Sequence, residues 1–486
     1  MKKEVEKKKF SLTPFSIILI LLALLALITH FLPSADFDKN GELVSGSGVV
    51  AASLSDFLMA PVNGFAGAVE VCIFVLILGG FLAMVTKTGA LETGIKVLVK
   101  KLKGNELVLI PILMFIFSIG GTTYGMLEET VGFYAILSAT MVAAGLDTVV
   151  ASAIVLLGAG TGVLGSTINP FAVGAAIDAL PAGIKVNQGI IIALGAILWW
   201  VSYVIATLFV MNYARKVKRD KGSTILSLQE QKAMQKEYSK TTEENPKLTG
   251  RQKLVLVLFA LTFVIMIVGF IPWVDFGVIS EEVADAGTHW SAFLTGTCFG
   301  WFYFLDASTL FLLMSIIIGI VAKFKEREIV ETFISGAADM MSVVLIIAVA
   351  RGASVLMGVT HLDNYIVYNA AEFLKVVPAF IYTPLNYLLH IVLSILVPSS
   401  SGLASLSTPI MGGLTHQLGY SVETNIMAFV AANGLVNLIT PTCGAIMGGL
   451  ALAKVDYSTW VKWSFKVVLT IGLAAMAILT VASIIL

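Results

Sequence analysis

The sequence predicts an all-α polytopic membrane protein built from two inverted repeats, each with a re-entrant hairpin and a discontinuous transmembrane helix. Of its 486 residues, 57% are hydrophobic and only 13% are charged, about half the charged share of an average soluble protein. Apolar runs recur from residue 15 to the C-terminus, so we expect roughly ten to twelve spans, counting re-entrant pieces. The 31 basic and 31 acidic residues balance, which gives no indication of a nucleic-acid partner.

The first repeat is predicted over residues 1–213. A basic tail precedes an apolar stretch at 17–28 that lacks a small-residue cleavage site, so we interpret it as a retained first span with a cytoplasmic N-terminus. An acidic loop at 34–55 is expected outside. A span at 69–85 then leads to a lysine-rich segment, 87–103, which the positive-inside bias places in the cytoplasm.

Two interrupted segments complete the first repeat before a span at 189–213. Residues 107–137 are apolar at both ends but broken in the middle at 118–125, and each arm is too short to cross a bilayer. They predict a re-entrant hairpin that opens from the inside. Residues 148–177 contain the polar patch 165–170, where a proline removes a backbone donor and hydroxyl and amide oxygens compete for the main chain. This segment is predicted to be a broken helix.

The second repeat is predicted over residues 254–486, after a charged cytoplasmic linker at 214–253 with a short surface helix at 227–236. It contains a hairpin at about 384–414, interrupted at 398–405 and opening from the outside. A helix at about 425–450, broken at 433–444, and a last span at 467–486 follow. We therefore expect a multi-pass protein of the cell inner (plasma) membrane, surrounded by lipid bilayer, with its C-terminus outside.

Interrupted segments at matching positions of two inverted halves are the best sequence indication of a transporter's binding site. We expect the polar, glycine and proline residues of the two hairpins and two breaks to bind the substrate. These residues are Gly121, Thr122, Thr123, Tyr124, Glu128, Glu129, Ser166, Thr167, Asn169, Pro170, Ser399, Ser400, Ser401, Gly402, Asn433, Asn437, Thr440, Pro441 and Thr442.

Three charged side chains fall inside apolar segments, where a charge is costly and is by default a functional hypothesis. Adjacent residues on a helix point about 100° apart, so at most one of Glu128 and Glu129 is expected to face the cavity. That carboxylate would hold a cationic group of the substrate or carry a proton; the alternative places both at the wet end of a shallow hairpin. Arg351 is either a clamp for a substrate carboxylate or part of a structural salt bridge.

Helix N-termini at the breaks suit anions, and serine, threonine and asparagine oxygens suit a sodium ion. A sodium site is therefore a hypothesis near Ser166, Asn169, Asn437 and Thr440, with a proton as the other candidate coupling ion. No other cofactor is expected, because the histidines are dispersed and the three cysteines lack pair spacing. Asp147 is expected to cap a helix.

Four motifs occur in order along the chain: residues 120–126 (GGTTYGM) with 128–130 (EET), 165–171 (GSTINPF), 398–402 (PSSSG) and 439–442 (ITPT). Together they resemble the YfcC-type transporters, which are grouped with the anaerobic four-carbon-dicarboxylate carriers in the ion transporter superfamily. The resemblance covers nearly the whole chain outside the linker. It implies a homodimer in which each protomer has a scaffold domain and an elevator-type transport domain holding the hairpins and broken helices.

The resemblance also bears on the substrate. Sodium-coupled relatives carry Ser-Asn-Thr at both breaks, whereas this chain has STINP and NLITPT, so proton coupling or exchange stays open. Members of the YfcC type are often described as basic amino acid antiporters. We expect a secondary active transporter, an antiporter or an ion-coupled symporter, of a small carboxylate-bearing solute, with a basic or other amino acid ahead of a four-carbon dicarboxylate.

Other function classes have weaker support. An intramembrane hydrolase would need a nucleophile with a base, or a metal motif. Neither His-Glu-x-x-His nor Gly-x-Ser-x-Gly occurs in the sequence, so we expect no enzyme. A passive channel is a further alternative. Primary pumping is not indicated, because the linker has no phosphate-binding loop.

Overall fold

The computed structural model describes residues 14–40, 43–102, 105–238, 247–271, 273–274 and 277–486. Their regular structure is helical, apart from two isolated β-bridges. The predicted basic tail at 1–13 and residues 239–246 of the linker lie outside the described residues. The helices of the first half are α1 (Pro14–Ile28), α2 (Leu54–Gly67), α3 (Val69–Lys87), α4 (Ala90–Leu102), α5 (Leu109–Tyr124), α6 (Phe133–Ala143), α7 (Thr148–Leu164), α8 (Ala175–Asp178) and α9 (Gln188–Arg219).

The linker contributes α10 (Leu228–Tyr238), which confirms the predicted surface helix. The helices that follow it are α11 (Gly250–Phe270), α12 (Glu281–Asp285), α13 (Phe304–Val321), α14 (Glu326–Asp339), α15 (Met341–Thr360), α16 (Leu362–Leu374), α17 (Ala379–Leu396), α18 (Ser400–Gln417), α19 (Val422–Val436), α20 (Gly444–Ala453) and α21 (Tyr457–Ile485). The all-α prediction is thus confirmed for the described part of the chain.

Length separates the apolar helices into two groups. Within the described residues, seven are long and apolar enough to cross a membrane: α3, α5 with its preceding 3₁₀ turn, α9, α11, α13, α15 and α21. The described part of α1 and helices α7, α17, α19 and α20 are apolar but shorter. Every residue of α7 is buried, as are nearly all of α19. These two short helices are therefore enclosed by protein, which is where interrupted backbone can be satisfied.

The first and last residues of the first hairpin lie close together in space. The Lys218 ammonium, near the end of α9, lies 3.3 Å from the Glu106 carboxylate and donates to the Ala144 carbonyl. Glu106 precedes α5 and Ala144 follows α6. The chain between them therefore runs up through α5, turns, and returns through α6 to the end from which it started.

The arms of the second hairpin, α17 and α18, also run in opposite directions. The Tyr382 hydroxyl, near the start of α17, lies 2.6 Å from the Thr415 hydroxyl near the end of α18. Further along, His390 Nε2 lies 3.1 Å from Ser407 Oγ. The Tyr420 hydroxyl, beyond α18, donates to the Val377 carbonyl that precedes α17. The tip at residues 397–399 is thus the far end of this hairpin.

The packing of the first half recurs in the second. Helix α2 packs on α15, and α14 packs on α3; likewise α1 packs on α15, and α13 packs on α3. Each hairpin packs on the short buried helix of its own half, α5 and α6 on α7, and α17 and α18 on α19. Helices α7 and α19 contact each other, as do α9 and α21. Such exchanged and duplicated contacts are what an internal structural repeat would produce.

Three predicted interruptions are narrower than the sequence suggested. Helix α5 continues through the glycine-threonine motif to Tyr124, because Ser118 and Thr123 donate their hydroxyls to carbonyls of the same helix. The turn begins only at Gly125, whose φ is +80°. In the second half, the serines from 400 to 405 are helical in α18, and α19 extends to Val436. The second break is therefore confined to residues 437–443.

The described part of the linker is hydrogen-bonded to the buried helices. Asp147 caps α7 as predicted, accepting from the Val150 N–H at 3.1 Å, and it also accepts from the Tyr213 and Thr224 hydroxyls, each at 2.6 Å. The Glu230 carboxylate of α10 accepts from the Asp456 N–H, and the Tyr238 hydroxyl donates to the Leu452 carbonyl. Residues 220–238 therefore tie α7 and α9 to the end of α20.

Helices α5 and α7 run side by side through glycine contacts, which yield a stability prediction. A Cβ on Gly162 would lie 2.1 Å from the Ser118 carbonyl oxygen, whereas one on Gly67 would have no neighbour within 4 Å. Gly162→Ala should therefore destabilise the protein by roughly 1–3 kcal/mol, the usual cost of overpacking. Denaturant or thermal unfolding of purified protein in detergent measures this change. Gly67→Ala is the matched control and should be neutral; equal stability of the two variants would contradict the close packing.

Candidate functional site

A cavity of about 350 Å³ lies where the two halves meet. It is bounded by both hairpin tips, the junction of α2 and α3, one face of α15 and the second break. Its wall is formed by Ala66, Gly67, Ala68, Val69, Glu70, Val71, Gly125, Leu127, Glu128, Glu129, Val163, Phe171, Tyr303, Phe304, Ile347, Arg351, Pro398, Ser399, Ser400, Ser401, Asn437, Thr442, Cys443 and Gly444. The two hairpins that the sequence analysis selected therefore converge on one space.

Both glutamates of the first hairpin contribute to this wall, contrary to the expectation of at most one. The expectation assumed an α-helix, but residues 128–132 form a 3₁₀ turn between α5 and α6. Glu129 is buried, and its carboxylate turns back to accept from the Leu127 N–H at 3.0 Å. Its carboxyl group therefore lies at the tip beside that of Glu128, rather than at the wet base of the hairpin.

Arg351 lies in α15 on the wall of the same cavity. Among the residues that the structure describes, it forms no ion pair and no hydrogen bond, so no described carboxylate fulfils the salt-bridge alternative. Its Nη1 atom lies 4.0 Å from the point that a Cβ on Gly402 would occupy. Gly402 is in the first turn of α18, where Ser399 is the N-cap. A guanidinium and a helix N-terminus thus face the same small volume.

The second break is bonded to the second hairpin tip. The Pro398 carbonyl accepts from the side-chain amides of Asn433 and Asn437, at 3.3 and 3.1 Å. Asn433 Oδ1 accepts from the Ser400 hydroxyl at 2.8 Å and from the Asn437 amide. Asn437 is 3% exposed and lines the cavity, yet its Oδ1 has no hydrogen-bond donor among the described residues. A buried oxygen without a donor is costly, so it is an open position for a ligand's N–H or O–H group.

The first break is bonded to the first hairpin, but its polar groups do not line the cavity. The Thr122 hydroxyl donates to the Gly165 carbonyl at 2.7 Å, and the Thr122 carbonyl accepts from the Thr167 N–H at 2.9 Å. Asn169 caps a π-helical turn at Pro170–Gly174 and donates to the Ser166 hydroxyl. Near this break, the cavity is lined by Val163 and Phe171, which lie on either side of it. The predicted Ser166, Thr167, Asn169 and Pro170 do not line the cavity.

Several other predicted residues contact neighbouring parts of the protein and do not line the cavity. Gly121 packs against α7, where a Cβ would lie 2.1 Å from the Ala159 carbonyl oxygen. The Thr123 hydroxyl bonds within its own helix, and Tyr124 is buried against Phe270 with 5.3 Å between ring centres. The Thr440 hydroxyl is 2.7 Å from that of Thr442, which itself donates to the Ile395 carbonyl.

Four residues that line the cavity were not among the predicted binding residues: Glu70, Tyr303, Phe304 and Cys443. A signal for Glu70 was present, because it is a carboxylate at the start of the otherwise apolar helix α3. The aromatic residues lie at the start of α13, far from either motif in the chain, and only the packing of α13 on α3 brings them in.

At the first break, the oxygen atoms that could bind a sodium ion already form hydrogen bonds within the protein. Asn169 Oδ1 already accepts from the Phe171 and Ala172 N–H groups, and the Ser166 hydroxyl both donates to the Val163 carbonyl and accepts from Asn169. Asn437 Oδ1 at the second break is available. Among the described residues, no cluster of three or more histidine, cysteine or carboxylate side chains has the arrangement of a metal site.

The many apolar helices surround a cavity that is lined by charged residues and lies beside the interrupted helices. This arrangement defines a multi-pass membrane protein of the transporter class. Residues 13–484 match the family described as DcuC: C4-dicarboxylate anaerobic carrier. The chain belongs to that family, and its resemblance to the YfcC type is confirmed.

Two curated relatives cover most of the chain. A Haemophilus influenzae protein named "Uncharacterized protein" is 31% identical over 413 residues, which are 84% of this chain and 74% of that protein. The Escherichia coli "Putative basic amino acid antiporter YfcC" is 28% identical over 406 residues, which are 81% and 74%. The solved structure of Neisseria gonorrhoeae MtrF, described with a class of antimetabolite efflux pumps, covers 98% of this chain and 96% of its own at 17% identity, with a TM-score of 0.47.

Ligand protection tests whether this cavity is the binding site. Ser401 lines the cavity, whereas Ser405, one turn further along α18, is exposed and does not. A thiol reagent should label Ser401→Cys, and a saturating transported solute should slow that labelling at least tenfold while leaving Ser405→Cys unaffected. The native cysteines are all buried, so the unsubstituted protein gives the background. Equal protection of both positions, or of neither, by a ligand that stabilises the protein would contradict the site.

Proposed function

We propose that this protein is a secondary active transporter that binds a small zwitterionic or cationic amino acid in the cavity between the hairpin tips. The proposal rests on the ionisable residues of the cavity wall. Arg351 forms no salt bridge with a described residue, and Glu70, Glu128 and Glu129 line the same cavity. A guanidinium binds a carboxylate in a bidentate geometry. The three glutamates would hold the ammonium or guanidinium groups of the same molecule.

The charge balance supports an amino acid ahead of a four-carbon dicarboxylate. The wall carries three carboxyl groups and one guanidinium. One carboxylate of a dicarboxylate would find Arg351, but the second would enter a space already lined with carboxylates, and like charges repel. The dicarboxylate remains the second candidate because the family description names C4-dicarboxylates. The name of the E. coli relative agrees with the first candidate.

The mode of transport that we propose follows from the duplicated packing. Lysine and arginine residues are concentrated at the ends of α3, α9 and α13 and at the start of α21. By the positive-inside bias we infer that those ends are cytoplasmic, so that the two halves have opposite polarity. In that arrangement the hairpins enter from opposite sides, the N-terminus is cytoplasmic and the C-terminus is outside. Alternating access would then move the hairpins with the broken helices against the remaining helices, in an elevator manner within a homodimer.

The substrate charge can be tested with one pair of variants. Glu128→Gln combined with Glu129→Gln should lower lysine or arginine uptake into proteoliposomes by roughly tenfold or more, because truncating one partner of a buried charge pair costs several kcal/mol. Succinate uptake should be unchanged or improved, since the substitutions remove a repulsion. Glu281 and Glu282 are adjacent, exposed glutamates on α12. Their double glutamine variant is the matched control and should transport as the unsubstituted protein does.

An equal loss of both substrates in the Glu128/Glu129 variant would assign these residues a structural or proton-carrying role instead. Arg351→Gln supplies the reciprocal arm and should abolish uptake of every carboxylate-bearing substrate. Arg327→Gln is its control, because Arg327 is exposed and paired with Glu331. Repeating the uptake with and without a sodium gradient, and with internal amino acid, distinguishes sodium coupling from proton coupling and exchange.

A further inference from the structure

We propose that the protein carries a binding site for the headgroup of an anionic phospholipid, remote from the transport cavity and independent of the proposed substrate. The site is a second cavity, of about 520 Å³, at the lysine- and arginine-rich end of three long helices. Its wall comes from the end of α3, the start of α11 and the end of α13. None of its lining residues takes part in the transport cavity.

Two cationic side chains line this second cavity without a neutralising partner. Lys87 donates to the Thr332 hydroxyl at 2.8 Å and lies 5.3 Å from the centre of the Phe324 ring. Neither Lys87 nor Arg251 forms an ion pair with any residue that the structure describes. Two carboxylates of nearby α14 have other partners, since Glu328 accepts from the Lys325 N–H and Glu331 pairs with Arg327. The two positive charges are therefore available to a phosphate.

The backbone of α11 adds to this positive field. Thr249 and Gln252 form a capping box, which satisfies the N–H of each by the side chain of the other. The N–H groups of Gly250 and Arg251 lie in the same first turn and have no partner within the helix. They line the cavity at the positive end of a 21-residue helix.

Apolar residues make up most of the remaining wall, which favours a lipid over a free anion. Val255, Ala322 and Phe324 complete the lining together with Thr88. Immediately deeper along the same helices, Leu254, Val257 and Ile320 are 46%, 60% and 64% exposed. They lie within about two turns of Arg251 or Ala322, at roughly 1.5 Å of rise per residue. A phosphate held by Lys87 and Arg251 would thus direct acyl chains along these exposed apolar side chains.

Basic pockets between membrane helices on the cytoplasmic side are suited to anionic lipid headgroups. The helices that form this pocket, α3, α11 and α13, pack against one another and hold no part of either hairpin or broken helix. A lipid here would therefore fasten these three helices to the cytoplasmic leaflet.

Lipid titration of the purified, delipidated full-length protein tests the site by thermal shift or native mass spectrometry. Phosphatidylglycerol should stabilise the protein, whereas phosphatidylcholine and inorganic phosphate should not. In Lys87→Gln combined with Arg251→Gln, the apparent affinity for phosphatidylglycerol should fall roughly 30-fold, about fivefold per basic residue. Lys87→Arg with Arg251→Lys keeps both charges and should retain binding.

The matched control is Lys462→Gln with Lys466→Gln, which removes two exposed lysines of α21 outside the cavity. It should bind phosphatidylglycerol as the unsubstituted protein does. Equal weakening in the control would show general attraction to the basic face and overturn the site. Equal stabilisation by phosphatidylcholine, or by inorganic phosphate, would overturn the anionic-lipid assignment.

Discussion

Two helices stop inside this protein, and their released backbone and polar groups must find partners within it. Helix α7 ends at Leu164 and α19 at Val436, both buried. In the first half, Thr122 of the hairpin bonds both sides of the break, at the Gly165 carbonyl and the Thr167 N–H. In the second half, Asn433 and Asn437 bond the Pro398 carbonyl at the hairpin tip. The hairpins are thus needed to complete the broken helices, because bilayer lipid offers no substitute.

The two junctions differ in how completely their polar groups are hydrogen-bonded, and this difference supports the proposed site beside the second break. At the first break, Asn169 and Ser166 use their polar atoms on neighbouring backbone and on each other. At the second break, Asn437 Oδ1 lies on the wall of the cavity and accepts no hydrogen bond from the part of the chain that the structure describes. Arg351 likewise forms no salt bridge within 4.0 Å among the described residues. An acceptor and a cation that lack partners are the features that a zwitterionic solute would complement.

The fold was more predictable than the site. Apolar length and the breaks at Pro170 and Pro441 were enough to anticipate short, interrupted helices in matching positions, because a proline removes a donor wherever it lies. Helix boundaries near the breaks were wrong where hydroxyl groups bond their own helix, as Thr123 does. The orientation of Glu128 and Glu129 was wrong because it assumed a helix instead of a 3₁₀ turn. Glu70 was missed because its position in the cavity depends on how α3 packs, which no local pattern encodes.

We propose that both halves of the chain enclose one binding cavity for a solute that bears a carboxylate and a cation. The decisive measurement is a cryo-electron microscopy map of the protein saturated with the amino acid that most stabilises it. We expect ligand density with the carboxylate at Arg351, an N–H group at Asn437 and the cation among Glu70, Glu128 and Glu129. Density for the ligand elsewhere, or with its carboxylate away from Arg351, would contradict the proposal.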